Sequence, residues 1–223
     1  MIKKGWKLLT VFILLYVVVG GLIFEVPRLN ILNETIRNLF FHVPMWFGMV
    51  ILLLVGVIHS IKYLRHQRPE NDIKAVEFVN AGVFFGILGL LTGMIWANYT
   101  WGTPWTGDPK LNSTAIGMMI YFAYLLLRGA FQDENRRARI SAIYNIFAFV
   151  NFLVLIFVLP RLTDSLHPGN GGNPGFNAYE LDVSLRKVFY PAVIGWTLLG
   201  VWMANARIRL RLLELKLLEN SSN

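Results

Sequence analysis

The aromatic and imidazole side chains are the groups of this chain best suited to binding chemistry. The segment WANYTWGTPWTGDPKLN, residues 96–112, carries Trp96, Trp101 and Trp105, three of the seven tryptophans. The chain has no cysteine, which excludes thiolate metal sites, thiol nucleophiles and disulfides. Histidines, carboxylates, basic side chains and aromatic rings must therefore carry any chemistry.

Two histidines accompany the tryptophans from other segments, His42 before them and His167 after them. Indoles offer broad ring faces and imidazoles offer nitrogen ligands, which is the combination that a flat aromatic ligand with a central metal requires. Haem iron is commonly held by axial histidine, in a pocket of apolar and aromatic side chains. Haem propionates need cationic or backbone donors, and the candidates are Arg28, Arg37, Lys110 and Arg161.

Each of these residues also has an ordinary structural interpretation. Tryptophans are enriched at membrane interfaces as anchors. His42 alone is typical of an interfacial polar residue, and His167 of a loop rich in glycine and proline. Asp108 fits either a cap at the start of a helix or an organiser of the site. Trp46 is expected to contact the core or lipid. The joint placement of the two histidines and the tryptophans favours the ligand.

The composition predicts that these residues are positioned by a helical membrane protein. The chain is 55% hydrophobic and 15% charged, with a mean hydropathy of +0.51, too apolar for a water-compatible surface around one core. A helix needs about 20 apolar residues to cross the hydrocarbon. We predict an all-α integral membrane protein, one domain of six transmembrane helices over residues 1–223, with spans at about 8–24, 39–61, 76–97, 112–128, 140–159 and 188–206.

The basic residues predict the orientation of this bundle. Most of the 21 Lys and Arg residues lie at the two termini and in the second and fourth connections. The positive-inside rule places these four segments, and hence both termini, in the cytoplasm. The outer loops, at about 25–38, 98–111 and 160–187, then share one side with His42, His167 and the tryptophans, whereas His59 lies at the inner end. Because the net charge of +8 collects between apolar runs, no nucleic-acid partner is expected.

Three segments carry a resemblance to a known family. They are RNLFFHVPMW at 37–46, TGMIWANYTWGTPWTGDPKL at 92–111 and SLHPG at 165–169. In this order they resemble the tryptophan-rich WWD signature, with its flanking histidines, of the haem-handling membrane proteins of cytochrome c biogenesis, the CcmC/CcsA superfamily. The similarity is greatest to the six-span CcmC family of haem delivery proteins. It covers nearly all of the chain, because size and span count agree as well.

The resemblance implies a role for each matching residue, with haem b as a transient cargo. The two histidines are the axial iron ligands, the tryptophans form a stacking and partner surface, the aspartate organises the loop, and two basic residues contact the propionates. Pro104 and Gly107 stand where many family members have further tryptophans, so the aromatic surface is thinner here. The matching positions are His42 and His167; Trp96, Trp101 and Trp105; Asp108; and Arg37 with Lys110.

The resemblance also implies a binding and transfer protein rather than an enzyme. Such a protein binds haem at the periplasmic face of the bacterial inner membrane and delivers it to a periplasmic haem chaperone of the CcmE type. An ABC-type haem maturation complex in the membrane is a further expected partner.

Other functions remain alternatives. A synthase-type relative would attach haem directly to apocytochrome c, but such relatives are typically longer. A b-type membrane redox protein would need a histidine pair on facing spans within the bilayer, and only His59 comes near that depth. A transporter would need ionisable residues or broken helices at mid-membrane, which the spans almost lack. A purely scaffolding subunit would co-purify with maturation partners without haem.

Overall fold

A computed structural model describes residues 2–28, 32–167 and 181–221. In this part of the chain there is no strand, and six helices are long and apolar enough to cross a membrane. These findings confirm the all-α, six-span fold class and a multi-pass membrane protein. The helices are α1 Ile2–Ile23, α2 His42–His66, α3 Pro69–Trp101, α4 Pro109–Gly129, α5 Glu134–Leu153 and α6 Val183–Ser221.

Short helical segments complete the described chain. A 3-10 segment, Asn33–Phe40, leads into α2, and α5 continues through a π turn, Val154–Val158, into a second 3-10 segment, Leu159–Arg161. Residues 29–31 and 168–180, which fall within the predicted outer loops 25–38 and 160–187, lie outside the described residues.

The helix ends follow local chemistry. Asp108 and Asp133 precede α4 and α5, and their carboxylates accept the backbone N–H of Lys110 and Arg136, which satisfies donors that the first turn leaves unpaired. Helix α3 ends where Gly102 takes φ +78°, a left-handed conformation that costs glycine little. The loop between α3 and α4 therefore comprises only residues 102–108.

Helix α3 extends beyond the span that hydropathy predicts. The apolar run ends near residue 97, but the helix continues to Trp101. No glycine or proline interrupts residues 98–101, so nothing ends the helix before Gly102. Trp96 and Trp101 consequently lie on the last turns of α3, and only Trp105 lies on the loop.

Helices α2 and α3 pack closely along a row of glycines. A Cβ added to any of these glycines would lie within 3.0 Å of a side chain on α2, so the small residues let bulky neighbours approach the α3 backbone. The facing pairs are Gly82 with Leu53 (2.9 Å), Gly86 with Met49 (2.7 Å), Gly89 with Trp46 (2.8 Å) and Gly93 with His42 (2.7 Å). This row of glycines fixes the position of His42 along the axis of α3.

Opposite ends of the bundle differ in charge. We call one end the basic end; it comprises the first turn of α1, the α2–α3 and α4–α5 connections and the end of α6. Ion pairs join helices at this end. There the fully buried Glu77 of α3 pairs with Arg207 and Arg211 of α6, and Asp72 pairs with Arg128 of α4. The other end, which we call the histidine end, is defined by His42, His167 and the α3–α4 loop.

Candidate functional site

His42 is the first residue of α2, and both of its ring nitrogens have a partner. Its Nδ1 lies 3.2 Å from the hydroxyl oxygen of Thr92 on α3. The indole Nε1 of Trp46, one turn further along α2, donates to His42 Nε2 over 3.3 Å. The imidazole edge lies against Gly93, where an added Cβ would be 2.7 Å from the ring carbon Cε1.

These partners assign the tautomer of His42. An indole N–H can only donate, so Nε2 must be the nitrogen that carries a lone pair. The Thr92 hydroxyl gives its own proton to the carbonyl of Leu88 at 2.8 Å, so its oxygen is free to accept from His42 Nδ1–H. Nε2 is therefore the nitrogen of His42 that can bind a metal.

His167 is positioned by Asp108, the cap of α4. His167 Nδ1 lies 2.9 Å from Asp108 Oδ1. The buried carboxylate also accepts the backbone N–H of Leu166 over 2.6 Å and the hydroxyl of Ser165 over 3.0 Å. One carboxylate thus joins the α3–α4 loop to the segment that carries the histidine.

The electrostatics of this pair favour a neutral imidazole beside an ionised carboxylate. Burial lowers the pKa of His167, and the opposing attraction of Asp108 does not reverse this shift. Burial raises the pKa of Asp108, but hydrogen bonds, first from Leu166 N–H, together with the nearby His167 outweigh it and leave that pKa below its ordinary value. With the Nδ1 proton donated to the carboxylate, Nε2 of His167 carries the lone pair.

Both histidines line one cavity of about 420 Å³ at the histidine end. This volume falls within the range of about 300–1,000 Å³ that is usual for small-molecule and cofactor sites. The wall is mainly apolar, with contributions from the first 3-10 segment, α2, α3, α4 and the π turn. The polar residues of the wall include Lys110, Arg161 and Ser165.

The three predicted tryptophans occupy different positions. Trp96 lines the cavity, and its ring meets that of Trp101 edge to face at 4.9 Å. Trp101 in turn packs edge to face on His167 at 4.9 Å, so it supports the imidazole. Trp105 does not line the cavity, and its side chain is exposed.

Arg37 is not brought into the cavity. Its guanidinium pairs with Glu34 at 2.7 Å and donates to the carbonyls of Gly21 and Phe24 at 3.0 and 2.7 Å. Gly21 lies in the last turn of α1, where carbonyls have no partner within the helix, and Phe24 directly follows the helix. Arg37 therefore ties α1 to the 3-10 segment, whereas Lys110 and Arg161 are the basic residues that line the cavity.

Sequence reasoning gave no site role to Thr92, Gly93 or Trp46, all of which contact His42. A usable signal exists for Trp46, because residues four apart share one face of a helix and it stands four positions after His42. Gly93 is the last of the glycines that face α2. Thr92 has no signal in the sequence, because its position opposite His42 depends on how the two helices meet.

The fold and the site together define a polytopic membrane protein with two imidazoles in one apolar cavity at the end of its bundle. Residues 2–222 match the family model CcmC, heme exporter protein C. The chain belongs to this family, which confirms the resemblance seen in its sequence.

Curated relatives agree with this family. The chain is 28% identical to the heme exporter protein C of Bradyrhizobium diazoefficiens, over 82% of this chain and 68% of the relative. It is 25% identical to that of Haemophilus influenzae, over 92% of this chain and 82% of the relative. The cytochrome c biogenesis protein CcsA of Pelargonium hortorum is 31% identical over 52% of this chain, but over only 36% of the relative.

Proposed function

We propose that this protein binds haem in the histidine-end cavity and delivers it to a periplasmic haem chaperone of the CcmE type during c-type cytochrome biogenesis. One observation carries the proposal: His42 and His167 line the same cavity, and each has Nδ1 held by another residue. Imidazoles held in this way present Nε2 to a metal. Its relatives are named heme exporter protein C, which supports haem as the ligand.

The cavity wall suits a porphyrin. Apolar side chains of α2 and α4 and the indole of Trp96 line the cavity, as the faces and edges of a porphyrin require. Lys110 and Arg161 lie in the same wall and would pair with the propionates, since carboxylates bind strongly to ammonium and guanidinium groups. In this arrangement Arg161 takes the role that the sequence suggested for Arg37.

The charge distribution supports a periplasmic site. The basic end carries most of the Lys and Arg residues outside the spans, and such clusters remain in the cytoplasm. Both termini then lie in the cytoplasm of a bacterium, and the histidine end faces the periplasm from the inner membrane. A haem chaperone in the periplasm would reach the exposed Trp105 and the α3–α4 loop.

We infer a carrier rather than an enzyme, because binding and release of haem b require no covalent bond to be made or broken by the protein. Axial coordination and propionate pairing are both reversible. An ABC-type maturation complex in the membrane is the partner proposed to drive release. The apolar sides of the bundle, such as the outward face of α1, offer surfaces to lipid and to such a partner.

The haem-binding proposal is tested by purifying the protein in detergent from haem-replete cells and recording its absorption spectrum. We expect a Soret band in the wild type and loss of most of it in His42→Ala and in His167→Ala. His66→Ala is the matched control, because His66 is exposed at the basic end of α2. A wild type without a Soret band, or cavity variants that retain it fully, would contradict the proposal.

Delivery is tested separately by mixing haem-loaded protein with a purified apo-chaperone and following haem in both after separation. We expect transfer to the chaperone without a covalent adduct on this protein. Haem that stays with the carrier at every chaperone concentration would contradict delivery and leave the haem site itself intact.

A further inference from the structure

Trp46 forms a hydrogen bond to the nitrogen of His42 that a metal would need. Its indole N–H donates to His42 Nε2 over 3.3 Å, and the two rings meet edge to face at 6.1 Å. A lone pair that accepts this hydrogen bond cannot bind iron at the same time. His167 differs, because among the described residues no hydrogen bond to its Nε2 is formed.

The position of Trp46 is built into the packing of α2 against α3. Its ring lies on Gly89, where a Cβ would come within 2.8 Å of the indole, so this glycine makes room for it. His42 lies on Gly93 in the same row. Both side chains line the cavity, so the hydrogen bond between them forms part of the proposed binding surface.

We propose that Trp46 is an internal competitor of haem for His42: its indole N–H holds Nε2 in the haem-free protein and recaptures it when haem leaves. The inference rests on the proposed function and concerns how the same site releases its cargo. On binding, the N–H···Nε2 hydrogen bond breaks and the Fe–Nε2 bond forms. No proton is transferred, because His42 Nδ1 keeps its proton and continues to donate it to the Thr92 hydroxyl oxygen. On release, the two events reverse.

This competition lowers the affinity for haem without removing a ligand. In the haem-free state the indole also keeps His42 in the tautomer with a lone pair on Nε2, so the ligand is ready when iron arrives. The net contribution of one hydrogen bond in a protein changes an equilibrium constant by about two- to tenfold. That change weakens binding modestly, which suits a protein that must hand its ligand on.

The test uses the variant Trp46→Phe, which keeps an aromatic ring but removes the hydrogen-bond donor. It measures how haem partitions between the purified variant and apomyoglobin, in comparison with the wild type. We expect the partition to shift about two- to tenfold toward the variant, because haem no longer displaces a hydrogen bond. Trp196→Phe is the matched control, since it removes an indole hydrogen bond of the same 3.3 Å length, to the carbonyl of Phe40. Equal or weaker retention by Trp46→Phe, or an equal gain in Trp196→Phe, would overturn the competition.

A second measurement does not depend on how well the variant packs. The measurement follows the indole N–H resonance of Trp46 in protein labelled with ¹⁵N-tryptophan. This resonance should shift when haem is added to the wild type, and it should also differ from the wild-type position in haem-free His42→Ala. A resonance that is unchanged in both conditions would overturn the proposed hydrogen-bond exchange. A wild type that takes up no haem refutes the proposed function as well, whereas a haem-loaded wild type with an unresponsive Trp46 refutes only this inference.

Discussion

The two histidines of the cavity are held in different ways. His42 begins a helix, lies against Gly93 and uses a neutral hydroxyl, Thr92, as the partner of its Nδ1. His167 lies on an irregular segment and uses a buried, charged carboxylate, Asp108. The first imidazole is therefore placed by helix packing, and the second mainly by a single side chain.

This difference predicts where the site is vulnerable. Asp108 caps α4, accepts from Leu166 and Ser165, and orients His167. Several contacts of His167 and its segment thus depend on one residue. Around His42 the contacts are distributed over two helices, so each neighbour contributes less. Substitutions near His167 should consequently weaken haem binding more than conservative substitutions near His42.

The largest effect is expected for Asp108→Asn. Asparagine is also a good helix cap, so α4 should remain folded, but the charge that orients and polarises His167 is lost. Removal of such a supporting partner typically costs about 10- to 100-fold in metal affinity. Haem titration of the purified variant, followed by absorption, measures the change.

Asp133→Asn provides the matched control for that substitution. Asp133 caps α5 at the basic end by accepting from Arg136 N–H over 2.6 Å, and it does not line the cavity. The same charge is removed from the same kind of position, so haem affinity should remain at the wild-type value. Equal weakening in both variants would show that helix capping, rather than orientation of His167, explains the loss.

An intermediate effect is expected for Gly93→Ala. The added methyl group would lie 2.7 Å from His42 Cε1 and must push the imidazole away from α3. Overpacking of this kind costs about 1–3 kcal/mol, and we expect about a tenfold loss of haem affinity from the displaced ligand. Gly5→Ala in α1 is the control, because nothing lies within 4 Å of its added Cβ. Wild-type affinity in Gly93→Ala would show that packing does not place His42.

The smallest effect is expected for Thr92→Val, which keeps the shape of the side chain and removes the hydroxyl that accepts from His42 Nδ1. The net value of one neutral hydrogen bond is about 0.5–1.5 kcal/mol, or about two- to tenfold in haem affinity. The same titration measures it. If Thr92→Val weakened binding more than Asp108→Asn, the contrast between the two histidines would be reversed.

Much of the fold follows from the sequence because it depends on local properties. Six apolar runs predict six helices, and capping residues such as Asp108 predict where helices begin. The end of α3 was harder to predict, because hydropathy marks the hydrocarbon and not the end of the hydrogen-bonded helix. Trp101 therefore belongs to α3, although its sequence suggests a loop.

The arrangement of the candidate site was predictable in part. Chemistry and resemblance identify His42, His167 and Asp108, and the structure brings the first two to one cavity and places Asp108 beside His167. The position of Arg37 was not predictable, because its acceptors are carbonyls at the end of α1 that no pattern of side chains reveals. The same holds for the contact of Trp46 with His42, which depends on rotamers and on the glycine row of α3.

The most direct test of paired ligation is the electron paramagnetic resonance spectrum of the ferric haem-loaded protein, recorded with His42→Ala and His167→Ala reconstituted in excess haem. Two axial imidazoles predict a low-spin signal in the wild type that converts to high spin in each single variant. A high-spin wild type, or a low-spin signal that survives either substitution unchanged, would show that these two histidines do not share one iron.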